Sequence, residues 1–232
     1  MFPVDGPPTP RKARALARIA AAQGVSGGPA PAVRPARMSA DDRRQQVVAA
    51  ASRAFAVGGY AGTTTDDVAK AAGVSQPYVV RMFGGKEQLF IAVFRWAVDG
   101  ILRAFQTELD RIAAEGTVEP DSDEMWAELG AAYLELVADR TIVLVLMHGF
   151  SVSGAEPAIG QHARQGMGEI YRALRDRTGA SVEKVQEFIA HGMLLNILMA
   201  MQVPEHAAAD SPLFELASCC FGPELTAELA AS

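Results

Sequence analysis

Cysteine and long apolar runs are both scarce in this chain of 232 residues. Its only cysteines, Cys219 and Cys220, are adjacent, and two are too few for a disulfide scaffold. No apolar run approaches the roughly 20 residues that cross a bilayer, and charges interrupt every apolar patch near the N-terminus, so no secretory signal is predicted. The sequence therefore favours a reducing, cytoplasmic environment without a membrane segment.

Histidine is also scarce, with four residues in the chain, and none of them has the spacing of metal ligands. No nucleophile motif accompanies them, and no glycine-rich phosphate loop follows a strand. We therefore expect no catalytic residues, no metal and no cofactor. Alternation of apolar and polar residues is missing as well, whereas apolar residues recur at helical spacing throughout, so the predicted fold class is all-α.

Positive charge is concentrated near the N-terminus, although the net charge is −6. Residues 1–38 contain six Lys or Arg against one acid, and residues 39–95 contain seven against five. The remainder, 96–232, contains eight against twenty-one. Because an acidic body repels polyanions, the N-terminal part is the only plausible face for nucleic acid. An ordinary acidic protein with a basic tail is the alternative.

Composition divides the chain into three predicted segments. Residues 1–38 are rich in Pro, Ala, Gly and Arg, which argues against a packed core and predicts a flexible basic extension. This arm could add phosphate or minor-groove contacts, or it could be a solubilising tail preceding a natural start at Met38. Residues 39–85 are expected to form a compact three-helix domain, and 86–232 a second helical domain.

Apolar periodicity, capping residues and glycines place the helix boundaries. The pattern predicts a first helix that Gly58 and Gly59 terminate, and a long helix that begins at Lys86 and joins the two domains. The predicted helices are 40–57, 64–72, 75–83, 86–114, 123–138, 140–152, 157–177, 181–202, 212–221 and 223–230.

Residues 64–90 carry the most informative pattern of the chain. Thr64 and Asp67 form a capping box at the start of one short helix, and Gly73 provides a turn after it. Ser75 then caps a second short helix, with Pro77 where a missing N–H costs little. Two short helices joined by a glycine turn, the second with polar residues on its first turn, have the layout of a DNA-reading helix-turn-helix.

Over residues 43–90 the sequence resembles the TetR family of bacterial transcriptional regulators. The matching positions are Val47-Val48, Ala50-Ala51, Phe55, Gly59-Tyr60, Thr63-Thr64, Asp67-Val68-Ala69, Ala72-Gly73-Val74-Ser75, Phe83, Lys86-Glu87 and Leu89. The resemblance implies an N-terminal three-helix unit that binds double-stranded operator DNA. It also implies a helical domain that forms a homodimer and holds a small-molecule effector.

The second short helix supplies the candidates for base contacts. Glutamine pairs with adenine and arginine with guanine in the major groove, so Gln76, Tyr78 and Arg81 are expected at base edges. Hydroxyl groups, helix N-termini and lysine bind phosphates, so Thr63, Thr64 and Lys86 are expected at phosphates. Arg81 could contact a phosphate instead of a base. For Thr64 and Ser75, capping alone is the alternative. The predicted DNA-binding residues are Thr63, Thr64, Ser75, Gln76, Pro77, Tyr78, Arg81 and Lys86.

Polar and aromatic residues on apolar helices provide the candidates for effector binding, because a buried polar group needs a partner that a ligand can supply. The predicted effector-binding residues are Trp126, Tyr133, His148 and Asn196. Their character suggests an amphiphilic or aromatic ligand, although each could be an ordinary core residue. Helices 157–177 and 181–202 have apolar residues on more than one side, as expected for pairing with a second copy.

Together these features predict a ligand-responsive transcriptional repressor that binds a palindromic operator as a dimer and is released by an effector. The long helix beginning at Lys86 would transmit the effector signal. The alternative is a TetR-like helical sensor or interaction protein that does not bind an operator. Repression, rather than activation, follows from the resemblance alone.

Overall fold

The computed structural model describes residues 39–116, 118–206, 208 and 211–221, and within these ranges it contains helices and no strand. The all-α prediction is confirmed. The predicted basic extension (1–38) and the predicted helix 223–230 lie outside the described residues. No helix in the described ranges is both long and apolar enough to cross a membrane.

Most helices begin and end within two residues of the predicted positions. In chain order they are α1 (Ala40–Gly62), α2 (Thr65–Ala72), α3 (Gln76–Phe83), α4 (Lys86–Glu115), α5 (Asp123–Val137), α6 (Arg140–Val152), α7 (Pro157–Thr178), α8 (Val182–Ala200), α9 (Val203–His206) and α10 (Pro212–Phe221). The short helix α9 was not expected from the sequence. It follows a left-handed residue, Gln202 (φ 56°), which ends the preceding turn.

The first helix ends differently from the prediction. Gly59 is not helical (φ 65°, ψ 179°), yet helical structure resumes beyond it to Gly62. The expected stop at the glycine pair is therefore a kink. Only glycine adopts this backbone conformation readily. The kink turns Tyr60 inward, where its ring meets the edge of the Phe90 ring at a centroid distance of 5.2 Å.

The described residues fall into two compact units. One comprises residues 39–98 and 144–166, so it contains α1 to α3 together with parts of α4, α6 and α7. Its core includes Phe55 and Phe90, whose rings pack edge to face with centroids 5.0 Å apart. Val68 on α2 and Val79 on α3 are fully buried. We call this the N-terminal unit.

The other unit comprises the described residues of 99–143 and 167–221. Its core is apolar, with Trp126, Leu174 and Leu198 among the most completely buried side chains. One buried charge is paired within it. The Glu108 carboxylate accepts a hydrogen bond from the Arg111 Nε at 2.9 Å, which offsets the cost of burying the charge. We call this the C-terminal unit.

These units divide the chain differently from the predicted boundary at Lys86. The first turns of α4 belong to the N-terminal unit, because Leu89, Phe90 and Phe94 are buried there. Phe94 also packs against Phe150 of α6 with ring centroids 5.9 Å apart. Such a division depends on contacts between residues distant in sequence, which a composition shift does not report.

The capping box predicted at α2 is confirmed. The Thr64 hydroxyl accepts a hydrogen bond from the Asp67 N–H at 3.1 Å, and Asp67 Oδ2 accepts one from the Thr64 N–H at 2.9 Å. Asp67 Oδ2 also accepts a hydrogen bond from the Thr64 hydroxyl at 2.6 Å. The Thr64 side-chain hydrogen bond is the main cause that lowers the pKa of the Asp67 carboxyl.

Replacing Thr64 by alanine should lower the free energy of unfolding by about 1 kcal/mol at neutral pH, because the helix loses its N-cap. The pKa of Asp67 is depressed in the folded state, so its stabilising contribution is present above the unfolded pKa and is lost as pH falls through the folded pKa. The difference between wild type and variant should therefore shrink in acid. Urea unfolding at neutral and acidic pH measures both quantities.

The matched control is Thr107→Ala, the same change at an exposed position of α4. Because Thr107 caps no helix, this variant should be no less stable than wild type. Equal destabilisation by both substitutions would contradict the role assigned to Thr64.

Candidate functional site

The connection between α2 and α3 is a tight left-handed turn. Gly73 adopts a left-handed conformation (φ 67°, ψ 33°), and its N–H donates to the carbonyl oxygens of Ala69 and Lys70. The Val74 N–H donates to the Ala69 oxygen at 3.0 Å. This pattern satisfies the last carbonyls of α2 and favours glycine at the turn. The turn predicted from the sequence is confirmed.

Ser75 occupies the N-cap position of α3, but its side chain makes no capping hydrogen bond. The sequence had predicted that this hydroxyl caps the helix. Instead the Ser75 backbone oxygen accepts hydrogen bonds from the N–H groups of Tyr78 and Val79 at 3.0 and 3.3 Å. Pro77 lies in the first turn of α3, where backbone N–H groups have no acceptor within the helix, so its missing N–H removes no hydrogen bond. Ser75 and Pro77 are both exposed.

Helix α3 has one buried and one accessible face. Val79 and Phe83 are buried against the rest of the N-terminal unit. Tyr78 and Arg81 lie on the accessible side, with the Arg81 guanidinium carbon 5.3 Å from the centroid of the Tyr78 ring. A cation over an aromatic face is an attractive arrangement that orients both groups. The accessible face therefore combines a hydrogen-bonding ring and a positive charge.

Gln76 begins this accessible face and contacts α2. Its Nε2 donates to the hydroxyl of Thr65 at 3.2 Å, and both side chains are partly buried. The structure thus places Ser75, Gln76 and Tyr78 at the start of one short helix and Arg81 in its last turn.

The two threonines before α2 have different environments. Thr63 is buried, with 3% of its surface exposed, and its hydroxyl donates to the Ala54 oxygen at 3.1 Å. That hydroxyl is therefore engaged inside the fold, unlike the phosphate contact predicted for it. Thr64 is exposed, and its hydroxyl belongs to the capping box described above. These contacts favour the capping alternative for Thr64.

Lys86 starts α4 and lies against the end of α1. Its ammonium group donates to the Ala61 oxygen at 3.1 Å and lies 4.7 Å from the centroid of the Tyr60 ring. Burial, followed by the charges of Glu156 and Glu87, raises the pKa of the Tyr60 phenol. Lys86 is half-buried, so its charge is held at the surface of the N-terminal unit.

Two polar residues of α1 border α2 and α3 without having been predicted. The Arg44 guanidinium carbon lies 4.4 Å above the centroid of the Phe83 ring, and its Nη1 donates to the Met82 oxygen at 3.4 Å. The Gln46 Nε2 donates to the Ala72 oxygen at 3.1 Å. The run of polar residues at the start of α1 is visible in the sequence. Only the structure shows that Arg44, within this run, contacts the end of α3.

The C-terminal unit contains a buried aromatic cluster. The Trp126 and Phe188 rings have centroids 5.0 Å apart, and Phe105 lies 5.7 Å from Phe188 and 6.0 Å from Tyr133. We call these four residues the aromatic cluster. Trp126 is fully buried, and its Nε1 donates to Asp121 Oδ1 at 2.8 Å. The cluster contains two of the four predicted effector-binding residues.

A third predicted effector-binding residue joins this cluster through a hydrogen bond. The Tyr133 hydroxyl donates to Asn196 Oδ1 at 2.8 Å, and both side chains are buried. Burial raises the pKa of Tyr133 to about 12, so the phenol remains a neutral donor. The polar pair is thus satisfied within an apolar environment.

His148 is placed elsewhere. It lies in the N-terminal unit, where its Nε2 is 3.2 Å from the Ala56 oxygen near the kink of α1. A side chain at Gly59 would meet the His148 ring at 3.3 Å. His148 therefore belongs to a different compact unit from Trp126, Tyr133 and Asn196.

Comparisons with known proteins match the N-terminal unit most specifically. Residues 47–93 match the family described as bacterial regulatory proteins, tetR family. The transcriptional activator FasR of Mycolicibacterium smegmatis is 37% identical over 78 residues, which are 32% of this chain and 36% of FasR. The transcriptional regulator EthR of Mycobacterium tuberculosis is 30% identical over 131 residues, covering 56% of this chain and 52% of EthR.

Solved structures share the fold along more of the chain. A protein assigned to the TetR family from Mesorhizobium loti has a TM-score of 0.55 at 15% identity, covering 84% of this chain and 98% of its own. A protein described as a transcriptional regulator from Pseudomonas aeruginosa has the same score at 18% identity, covering 84% and 95%. The chain covers 36% of the length of FasR and 52% of the length of EthR, so it spans between about a third and a half of the length of these relatives. The part of the chain that contains the helix-turn-helix, residues 47–93, thus matches the TetR family of bacterial regulatory proteins.

Proposed function

We propose that this protein is a transcriptional regulator that binds double-stranded operator DNA through α3. The observation that carries the proposal is the two-sided character of this helix. Val79 and Phe83 are buried and hold the helix against the N-terminal unit, while Gln76, Tyr78 and Arg81 lie on its accessible side. A short helix held in this way presents hydrogen-bonding groups to the major groove, where base edges are distinguishable.

Phosphate contacts are proposed at the edges of the same surface. Lys86 and Arg44 lie beside the ends of α1 and α3, and both are cationic. The N-terminus of α2 is less suitable, because Asp66 and Asp67 are exposed in its first turn. Positive side chains position a protein on DNA, while base contacts give sequence preference. Pro77 and Ser75 complete the surface at the start of α3.

A homodimer is proposed through the C-terminal unit. Ile197 and Met201, at the end of α8, are 41% and 57% exposed, and Leu213 and Leu216 of α10 are exposed as well. A concentration of exposed large apolar side chains favours an interface between copies. A twofold dimer places two recognition helices on one face of DNA, which predicts a palindromic operator with half-sites about one helical turn apart.

The effector is proposed to bind at the aromatic cluster, next to Tyr133 and Asn196. Trp126 is fully buried, so a ligand that contacts its ring has to displace neighbouring side chains. The Tyr133–Asn196 pair offers a donor and an acceptor to a polar group, while the rings suit an amphiphilic or aromatic body. A coupling of roughly 2–3 kcal/mol would suffice to release DNA.

Repression is part of this proposal. The relative FasR is named an activator, so similarity in the DNA-binding region does not decide the direction of regulation. A reporter gene placed behind the selected operator measures the direction of regulation. A repressor should lower expression of the reporter, and an effector should restore it.

Selection of preferred sequences from a random DNA pool tests operator binding directly. The full chain should enrich a palindromic sequence, and the logarithm of its binding constant should fall steeply with the logarithm of salt concentration, because phosphate contacts release counterions. Binding to a scrambled sequence of equal length is the control. Equal affinity for both sequences at every salt concentration would favour the alternative, a TetR-like helical sensor that does not bind an operator.

A further inference from the structure

The hydrogen bond between Thr65 and Gln76 links the first residue of α2 to the first residue of α3. The Gln76 Nε2 donates to Thr65 Oγ1 at 3.2 Å across the helix-turn-helix. Gln76 is the most N-terminal base-contact candidate on α3, and the chain holds its amide from a different helix. Thr65 is partly buried, as Gln76 is, and it belongs to α2 rather than to α3.

The direction of this hydrogen bond determines what Gln76 can offer to a base. The glutamine amide has two N–H donors and one carbonyl acceptor. Thr65 engages one donor, which leaves one N–H and the Oε1 acceptor. One donor and one acceptor side by side are what adenine requires, since its N7 accepts and its N6 amino group donates in the major groove.

The hydrogen bond also limits the motion of the glutamine. A free glutamine side chain has many rotamers, and ordering it at a base costs conformational entropy. Anchoring the amide in the unbound protein reduces this cost, because the group is already oriented before DNA arrives. Orientation matters most for a bidentate contact, in which two hydrogen bonds must be aligned at the same time.

We propose that Thr65 is a positioning residue that gives Gln76 a preference for an adenine at one base pair of each half-site. Thr65 does so without touching the base itself. This inference rests on the proposed operator binding and deepens it, because it names the residue that orients Gln76 and the base that Gln76 recognises. A threonine that contacted only a phosphate would instead contribute equally to all sequences.

The test measures the affinity of the full chain for its selected operator and for every single base-pair variant of one half-site. Wild type should discriminate against replacement of one A·T pair by about 5- to 100-fold, the range of a bidentate contact. Gln76→Ala identifies that pair, because its discrimination disappears there. In Thr65→Val, which keeps the shape but removes the hydroxyl, discrimination at the same pair should fall several-fold while the other positions stay unchanged.

Thr65→Ser serves as the matched control, since it keeps the hydroxyl and should retain the wild-type profile. Thermal melting of all three variants verifies folding. A uniform loss of affinity in Thr65→Val would overturn the proposal in favour of a phosphate contact. An unchanged profile in Thr65→Val, or a preference of Gln76 for a G·C pair, would overturn it as well. A wild-type protein without any sequence preference would refute operator binding together with this inference.

Discussion

Replacing Tyr78 by alanine is expected to weaken binding to the selected operator by about 10- to 100-fold, the cost of losing a specific contact. Binding to unrelated DNA should change much less. Tyr78 lies on the accessible side of α3, and the Arg81 guanidinium lies over its ring. The variant therefore loses the tyrosine contact and also the surface that orients Arg81. Fluorescence anisotropy with specific and scrambled duplexes at the same salt concentration measures the two affinities.

Tyr78→Phe is the matched control for this prediction. It preserves the ring beneath Arg81 and removes only the hydroxyl, so it separates the two contributions. If the ring is the important part, Tyr78→Phe should retain most of the specific affinity. An equal loss of specific and non-specific binding in Tyr78→Ala would contradict a role in base recognition, provided that the variant melts like wild type.

Replacing Gly149 by valine should lower the free energy of unfolding by about 3 kcal/mol, near the upper end for overpacked cores. A Cβ atom at this position of α6 would clash with ring atoms of Phe94. The Phe94 ring cannot move aside easily, because it is 1% exposed and packs against Phe150. For a chain of this size the melting temperature should fall by roughly 2–4 °C per kcal/mol.

Gly62→Val is the matched control for Gly149→Val. A side chain at Gly62 would meet no heavy atom within 4 Å, and the residue is exposed at the end of α1. We expect its melting temperature to lie close to that of wild type, since exposed substitutions usually change stability by less than about 0.5 kcal/mol. If both valine variants melted alike, the packing of α6 against Phe94 in solution would differ from the structure.

Local signals in the sequence predicted the two short helices and the glycine turn between them, although not the absence of a capping hydrogen bond from Ser75. The capping box of Thr64 and Asp67 involves residues three positions apart, so it can be recognised without knowing the fold. The turn at Gly73 depends on the backbone preference of a single residue. The same local information failed at Gly59, because a glycine can kink a helix as well as end it, and neighbouring elements decide which occurs.

Contacts between distant residues could not be predicted in this way. Thr63 has a hydroxyl group of the kind that binds phosphates, but this hydroxyl donates a hydrogen bond to the Ala54 oxygen inside the fold. His148 is a polar residue on an apolar helix, as expected of a pocket residue, but its ring lies beside the Ala56 oxygen in the N-terminal unit. Tyr133 and Asn196 were correctly expected to be polar residues on apolar helices, yet only the structure shows that they satisfy each other.

Periodicity, caps and short motifs were enough to predict the all-α class, the positions of most helices and the resemblance of residues 43–90 to the TetR family. The folded arrangement was needed to show which helices share a compact unit, which polar groups are hydrogen-bonded, and that Thr65 accepts a hydrogen bond from Gln76. The difference lies in the range of the interactions. Backbone propensities act over a few neighbouring residues, whereas side-chain hydrogen bonds and ring packing join residues that the chain separates.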